Sequence, residues 1–364
     1  MIPWFLSEIS LKDKKNAYKL LVNSKSLSEN ILTNKFKDTL SKRLKTKYLT
    51  LTNSGSVSIL MSLMALNLKT NDEVVLPNRS WISTLHAVKL LKLKPVFVDV
   101  KSNTTLIDEK LIENAITKKT KAIITVNLNG RVCNKKIINS IVRKHNLYLI
   151  EDNAQSILST DENKKFFNKS ATFSCFSFGA TKLINTGQGG AILSKNKRLY
   201  EKILLIKYNG IINNNKGKWG NLGFNFKYTD MQSSFGLISL KNIDKKISKY
   251  KIVFNRYKNN LKNNKNIEII DVNTKYEIPI YVEIIAKDRN RLIYYLKKNN
   301  IETLPFYRSL NKSPIVKKAK FISKDNNSDK FHKFGLWLPG GADIKINQID
   351  KISKLINNFY NINY

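Results

Sequence analysis

Residues 121–155 read KAIITVNLNGRVCNKKIINSIVRKHNLYLIEDNAQ, and the order of apolar and polar positions in that stretch decides the fold. KAIITVNL (121–128) is an apolar run of the length a buried strand needs. Ile137, Ile138, Ile141 and Val142 then recur at helical spacing, and LYLIED (147–152) supplies a second buried strand. Strand, helix and strand in that order form a parallel unit with its helix on one face.

The same alternation continues outward on both sides. Upstream, Val57, Leu60, Met61, Met64 and Leu68 fall on one helical stripe, followed by a strand EVVLP (73–77), a helical stretch after Trp81 and a strand PVFVDV (95–100). A helix opened by Asp108 then turns Leu111, Ile112, Ala115 and Ile116 inward. Downstream, the apolar runs TFSCFSF (172–178) and GGAILS (189–194) bracket Lys182. So many β/α units in succession predict a large doubly wound, mostly parallel sheet over residues 1–240. From 241 the pattern changes. KNIDKKISKYKIVFNRYKNNL reads as one long helix with Ile243, Ile247, Ile252 and Tyr257 on its inner face. EIPIYVEII (277–285) reads as a strand, DRNRLIYYLKKNN (288–300) as a helix and NQIDKISKLINNFY (347–360) as a closing helix, giving a smaller α/β unit over 241–364. The polar tract from Ser323 to Lys333 reads as a mobile loop.

Composition narrows the function classes. The 364 residues are 42% hydrophobic with 14 Gly and 7 Pro, which excludes a disordered or collagen-like chain. No apolar stretch reaches the ~20 residues of a membrane span, and the N-terminus has no basic start followed by an apolar run. Two cysteines, Cys133 and Cys175, and three histidines make neither a disulfide framework nor a metal site. A reduced, cytoplasmic setting without membrane attachment is expected. The formal charge of +37 invites a nucleic-acid reading. Only nine of the 64 basic residues are Arg, however, and the lysines are spread from Lys12 to Lys354. Specific base or phosphate recognition favours clustered Arg, and Asn and Ile are abundant alongside Lys, so the charge reads first as a compositional bias at neutral surface positions, with a general attraction for anions as the alternative to a nucleic-acid site.

Five segments carry side chains suited to chemistry. Ser54-Gly55-Ser56 opens a helix, where unpaired N–H groups, a partial positive charge and two hydroxyls suit an anion. A plain serine N-cap explains Ser54 as well. Trp81 follows the strand that ends at Pro77, and an indole exposed at a strand's carboxyl end can stack on a planar heteroaromatic ligand; a core tryptophan is the alternative. LYLI delivers Asp152 to the end of a buried strand, where a carboxylate is costly unless it meets a cation such as a protonated ring nitrogen. Gln155, three residues on, is placed for an oxygen on the same ring, although many α/β proteins put an Asp here for other purposes. Lys182 follows an apolar strand and Ser177-Phe178-Gly179, and precedes Thr186-Gly187-Gln188-Gly189-Gly190. An amine in such a confined setting can act as a nucleophile. There is no GxxxxGK[ST] segment, and GQGG opens no helix, so neither a Walker loop nor a Rossmann fingerprint is present. Thr229 of TDMQ reads as an N-cap, whereas Asn225, in Gly223-Phe224-Asn225-Phe226-Lys227, has no such local use.

Taken together, Ser-Gly-Ser, Trp81, EDxAQ, SFxxxKxxxTGxGG and GxNxxxTDxQ resemble the DegT/DnrJ/EryC1/StrS sugar aminotransferases over nearly the whole chain. The resemblance implies a fold-type I enzyme using pyridoxal 5'-phosphate (PLP). It assigns Lys182 to the covalent attachment of the cofactor, Asp152 to its ring nitrogen, Gln155 to its ring hydroxyl and Trp81 to its face. Gly55, Ser56 and Ser177 would take the phosphate, with Ser54 beside them among the cofactor-binding residues, joined by Asn225 from the second subunit of a homodimer with shared active sites. The implied reaction moves an amino group from L-glutamate to a keto sugar nucleotide, for amino sugar and surface polysaccharide biosynthesis.

LPFYRSLNKSP (304–314) is most similar to GDP-perosamine synthase-like members, which points to C4 of an NDP-4-keto-6-deoxyhexose. Some relatives that dehydrate instead of aminating carry His at the lysine position, so Lys182 favours transamination. Three places depart from the usual pattern: Gln188 for Glu, Asn127-Leu128-Asn129-Gly130 for His-x-Tyr-Gly, and Asn311 for His. They bear on substrate identity, leaving amination at C3 open. A silent PLP-binding homologue and a polyanion binder remain as other classes.

Overall fold

The apolar runs of the N-terminal part become strands of one sheet. The computed structural model describes residues 1–362 except 25, 169, 214–217 and 317. Helices α1 (Leu11–Val22) and α2 (Ile31–Leu44) lead to β1 (Leu49–Thr52), α3 (Gly55–Ala65), β2 (Glu73–Pro77), α4 (Ser83–Leu90) and β3 (Lys94–Val98). Next come α5 (Ile112–Ala115), β4 (Thr120–Val126), α6 (Lys135–Lys144), β5 (Tyr148–Asp152), β6 (Phe173–Ser177) and β7 (Gly190–Ser194). Then follow α7 (Lys197–Lys207), the short pair β8 (Ile211–Asn213) and β9 (Lys218–Trp219), α8 (Asp230–Lys241) and α9 (Ile243–Leu261). The chain ends through β10 (Ile267–Ile269), β11 (Val282–Ala286), α10 (Arg289–Lys298), β12 (Leu304–Pro305), β13 (Phe321–Ile322), α11 (Asn327–Phe334), β14 (Gly335–Leu338) and α12 (Ile346–Ile362).

The large sheet runs β1-β7-β6-β5-β4-β2-β3-β13. Only β7 is reversed, being antiparallel to both β1 and β6, while every other neighbouring pair is parallel. From β2 the chain steps out to β3 and then returns past β2 to β4, so the strand order reverses beside β2 and β4. In such a sheet, ligands bind outside the carboxyl ends of the strands at that reversal. A second, antiparallel sheet runs β10-β11-β14-β12 and packs with α9, α10 and α12 around Val282, Ile284, Leu336 and Ile352. The chain ends interleave with these parts: Ile2 and Phe5 bridge Ile301 and Gly340, and β13 adds to the free edge of β3.

Four sequence expectations need correction. In α3 the deepest positions include Ile59, Met61 and Leu63, whereas Val57, Leu60 and Met64 are only half-buried. A helix that is apolar almost all round is enclosed on several sides, and α3 is in contact with α4, α7, β6 and β7. On α9 the inner stripe is Ile243, Tyr250, Val253, Phe254, Tyr257 and Leu261, while Ile252 is exposed. Nine residues beyond Ile243 is about half a turn out of phase at ~100° per residue, so Ile252 faces the other way. EIPIYVEII pairs as a strand only from Val282, because the Ile278 amide donates to Ser159 Oγ (3.1 Å) and that of Tyr281 to Asn129 Oδ1 (2.8 Å). Finally, the tract Ser323–Lys333 contains the helix α11. Its own N-cap residue, Asn326, makes no side-chain cap; Asp99 takes the amides of Asn327 (2.7 Å) and Ser328 (2.9 Å) instead.

Candidate active site

The carboxyl ends of β1, β2, β5 and β6 surround a cavity of about 420 Å³. Its lining brings together Ser54, Gly55, Ser56, Trp81, Asp152, Gln155, Ser177 and Lys182, drawn from widely separated stretches of sequence. Asn225 is not among them. It is exposed beside the β8–β9 pair and bridges Tyr208.

At one end of the cavity the structure favours an anion. Ser54 caps α3, its Oγ accepting from the Val57 amide at 3.2 Å, so the N-cap reading of this serine holds. The amides of Gly55 and Ser56 have no acceptor among the described residues. A side chain at Gly55 would place its Cβ 2.7 Å from Ser177 Cβ, so glycine is what lets the helix terminus meet the end of β6. Ser177 is half-buried and lies opposite Gly190 in the register. Amides at a helix N-terminus beside three serine hydroxyls form an anion cradle.

At the other end the structure favours a cation. Asp152 is buried and accepts two hydrogen bonds, from the Ala154 amide (3.0 Å) and from Thr84 Oγ1 (3.3 Å). It forms no ion pair among the described residues. Burial pushes its carboxyl above the usual range, against smaller downward pulls from the Ala154 amide, the Lys182 charge and Thr84. A cation placed against it would favour the ionised form. Gln155 Oε1 accepts from the Asn129 amide (2.9 Å), which turns its two N–H donors toward other partners and suits an oxygen acceptor in the cavity. Lys182 is half-buried, and its ammonium makes no ion pair or hydrogen bond among the described residues. The following loop is fixed from behind: Gly189 has φ +149°, and Tyr228 packs on it while donating to Thr186 Oγ1 at 2.6 Å.

The remaining wall is aromatic, formed by Trp4, Trp81, Tyr281, Tyr307 and Trp337. Of these, sequence reasoning identified only Trp81. Trp4 comes from the N-terminal segment, Tyr307 from the loop after β12, and Trp337 from β14, so no local motif joins them. Thr84 was missed too, although it lies three residues after Trp81 and hence one helical turn along. The substituted Asn127 and Asn129 are buried structural clamps: Asn127 Nδ2 donates to Asn153 Oδ1 (2.6 Å), and Asn129 brackets Tyr281 through both its N–H and C=O. No helix among the described residues is long and apolar enough to cross a membrane.

A cavity that asks for an anion in one part and a ring cation in another, with an uncommitted lysine in the same lining, fits PLP, and the sheet that carries it is that of a fold-type I PLP-dependent enzyme. The particular kinship follows from the sequence: the chain belongs to the DegT/DnrJ/EryC1/StrS aminotransferase family, whose sequence model matches residues 9–357. It is 28% identical over 361 residues to the GDP-perosamine synthase of Escherichia coli O157:H7, covering 99% of this chain and 98% of that one. It is 31% identical over 261 residues to the dTDP-4-amino-4,6-dideoxy-D-glucose transaminase of Shigella dysenteriae, covering 70% of each. Among solved structures, NtdA from Bacillus subtilis with bound cofactor PMP superposes with a TM-score of 0.88 at 27% identity, over 96% of this chain and 82% of that one.

Proposed function

We propose that this chain moves the amino group of L-glutamate to the C4 keto group of an NDP-4-keto-6-deoxyhexose, in the cytoplasm, as a step toward an amino sugar. The observation that carries the reading is the pairing, in one cavity, of the cation-seeking carboxylate of Asp152 with the uncommitted amine of Lys182. PLP, when bound, supplies an electron sink for the negative charge left when a proton leaves the carbon that bears the nitrogen. Asp152 holds the ring nitrogen in its protonated form. The free N–H donors of Gln155 orient the ring oxygen, Trp81 covers a ring face, and Ser54, Gly55, Ser56 and Ser177 fix the phosphate. Lys182 would hold the cofactor and, once freed from it, would carry the proton from the amino-bearing carbon of the donor to the cofactor carbon that keeps the nitrogen, both on one face. Asn225, exposed in its own chain, reaches the phosphate of a second copy, so the working unit is a homodimer.

The full-length likeness to a GDP-perosamine synthase supports C4 and a nucleoside diphosphate carrier, and the excess of lysine suits that anion. The test is a panel of GDP-, dTDP- and UDP-linked 4-keto-6-deoxyhexoses with L-glutamate, with products read by NMR. Amination at C4 of one of them is expected. Amination at C3, or turnover only with free keto acids, overturns the substrate reading and leaves the cofactor assignment standing.

A further inference from the structure

The aromatic wall of the cavity is held by a buried charge. Trp337 is its centre, with ring centroids 5.2 Å from Tyr307 and 4.5 Å from Phe306; Tyr307 in turn lies 5.3 Å from Trp81. The Trp337 indole N–H donates to Glu283 Oε1 at 3.1 Å, and the two residues face each other across β11 and β14. Glu283 is 3% exposed. Its other oxygen takes the Arg131 guanidinium at 2.6 Å and the Asn129 amide group at 3.1 Å. Asn129 also brackets Tyr281 and donates its backbone N–H to Gln155. One buried network thus joins the polar floor of the cavity to its aromatic wall.

A buried ion pair is seldom the most stabilising filling for such a space, because desolvation offsets most of the attraction. What a carboxylate here provides, and a packed hydrocarbon would not, is a fixed direction for the indole. Indole and phenol faces pack on the C–H faces of a hexose, so their tilt decides how the sugar ring presents its carbonyl carbon. We infer that Glu283 is a positioning residue that sets the aromatic wall for the hexose through Trp337, an assignment that rests on the sugar-nucleotide reading above.

The test uses Glu283→Gln, which keeps the size and an acceptor oxygen but removes the charge. It also uses Trp337→Phe, which removes the indole N–H and leaves the Glu283–Arg131 pair intact, and the double variant. Each is assayed as cofactor-loaded enzyme with L-glutamate and whichever keto sugar nucleotide of the panel the wild type converts fastest. Binding of the corresponding aminated product is followed by calorimetry, without turnover. For each single variant, sugar KM and product Kd rise about tenfold, the scale of one lost charge-assisted hydrogen bond, while the glutamate half-reaction changes by less than about threefold. The double variant adds less than about twofold to the larger single effect, because both changes act on one contact. Multiplying effects, equal slowing of both half-reactions, or wild-type KM and Kd would each overturn the assignment. If Glu283→Gln does not fold, Glu283→Asp, which keeps the charge but shortens its reach to the indole N–H, decides by the same tenfold rise, and wild-type values in it overturn the inference. A wild type that aminates no nucleotide sugar refutes the functional reading instead, whereas variants that match an active wild type refute only the role of Glu283.

Discussion

Asp152 and Asp230 are both buried, and they are served in opposite ways. Asp230 accepts from the amides of Asn30 (2.9 Å), Leu32 (3.1 Å) and Thr33 (2.9 Å) and from the hydroxyls of Thr33 (2.7 Å) and Ser24 (3.0 Å). It therefore caps α2, whose own N-cap residue Asn30 makes no side-chain cap. Burial works against its charge, but the bonds from Thr33, Leu32 and Asn30 prevail and hold its carboxyl below the usual range. Asp152 has two donors and is pushed upward by burial. A satisfied carboxylate stabilises a helix terminus. One left short of partners at the mouth of a parallel sheet is held ready for a ligand.

The largest effects expected from this contrast fall on catalysis. Lys182→Ala abolishes turnover but retains cofactor binding, since the phosphate cradle and Asp152 remain. Borohydride reduction of the wild type fixes the pyridoxyl group on the peptide that contains Lys182, and a label on another lysine would refute the site. Asp152→Asn slows both half-reactions by orders of magnitude, because an amide cannot hold the ring nitrogen protonated. Its effect on folding has the opposite sign. A carboxyl whose folded pKa is raised loses stability as pH climbs from its unfolded value of about 3.9 toward the folded one. Cofactor-free Asp152→Asn is thus at least as stable as wild type at neutral pH. A Tm drop of several degrees there would mean that Asp152 is a structural carboxylate like Asp230.

Asp230→Asn reverses the pattern. Replacing an acceptor of five hydrogen bonds by an amide leaves buried donors facing donors, at a cost of about 3 kcal/mol. Asp230 has a lowered folded pKa, so its contribution is present above the ordinary carboxylate range and is lost as pH falls through the folded value. The stability gap between wild type and Asp230→Asn, measured by denaturant melts, should be full at pH 7 and shrink steadily below pH of about 4. A gap independent of pH would show that packing rather than charge is at stake. The folded fraction of the variant should retain the rate of the glutamate half-reaction.

The contrast also explains what the sequence discloses. LYLI leading to Asp152 is a local event, an apolar run that must end in a charge; Ser54, Trp81 and Lys182 likewise follow a strand and Ser177 ends one, so the floor of the cavity was legible. The cap on α2 joins residues about 200 positions apart, and that on α11 joins Asp99 to Asn327 and Ser328 across similar separations. TDMQ spends its Thr229 on α8, as its spacing implies, but nothing nearby reveals that Asp230 serves another helix. The polar composition of 323–333 hid a helix because its cap comes from outside the segment. The aromatic wall escaped for the same reason: its rings come from the N-terminus, from the loop after β12 and from β14, and tertiary packing alone assembles them.

Asn225 is the third case, an exposed amide with one weak local bond, from the Lys227 amide at 3.4 Å. Unlike Asp152 it lies in solvent outside its own cavity, so a role at the phosphate requires that it reach a neighbouring copy. Loss of one hydrogen bond to a phosphate is worth about 1.5 kcal/mol, so Asn225→Ala should retain the cofactor roughly tenfold less tightly while its folding stability is unchanged. Complementation locates the group. In a heterodimer of Lys182→Ala with Asn225→Ala, one site carries both defects, and the other has its own Lys182 and an intact Asn225 reaching across. At low PLP concentration, where the Asn225→Ala homodimer is largely empty, activity should rise on mixing. Subunits shown to exchange, yet yielding no intact site, would place Asn225 within its own chain and return it to the surface.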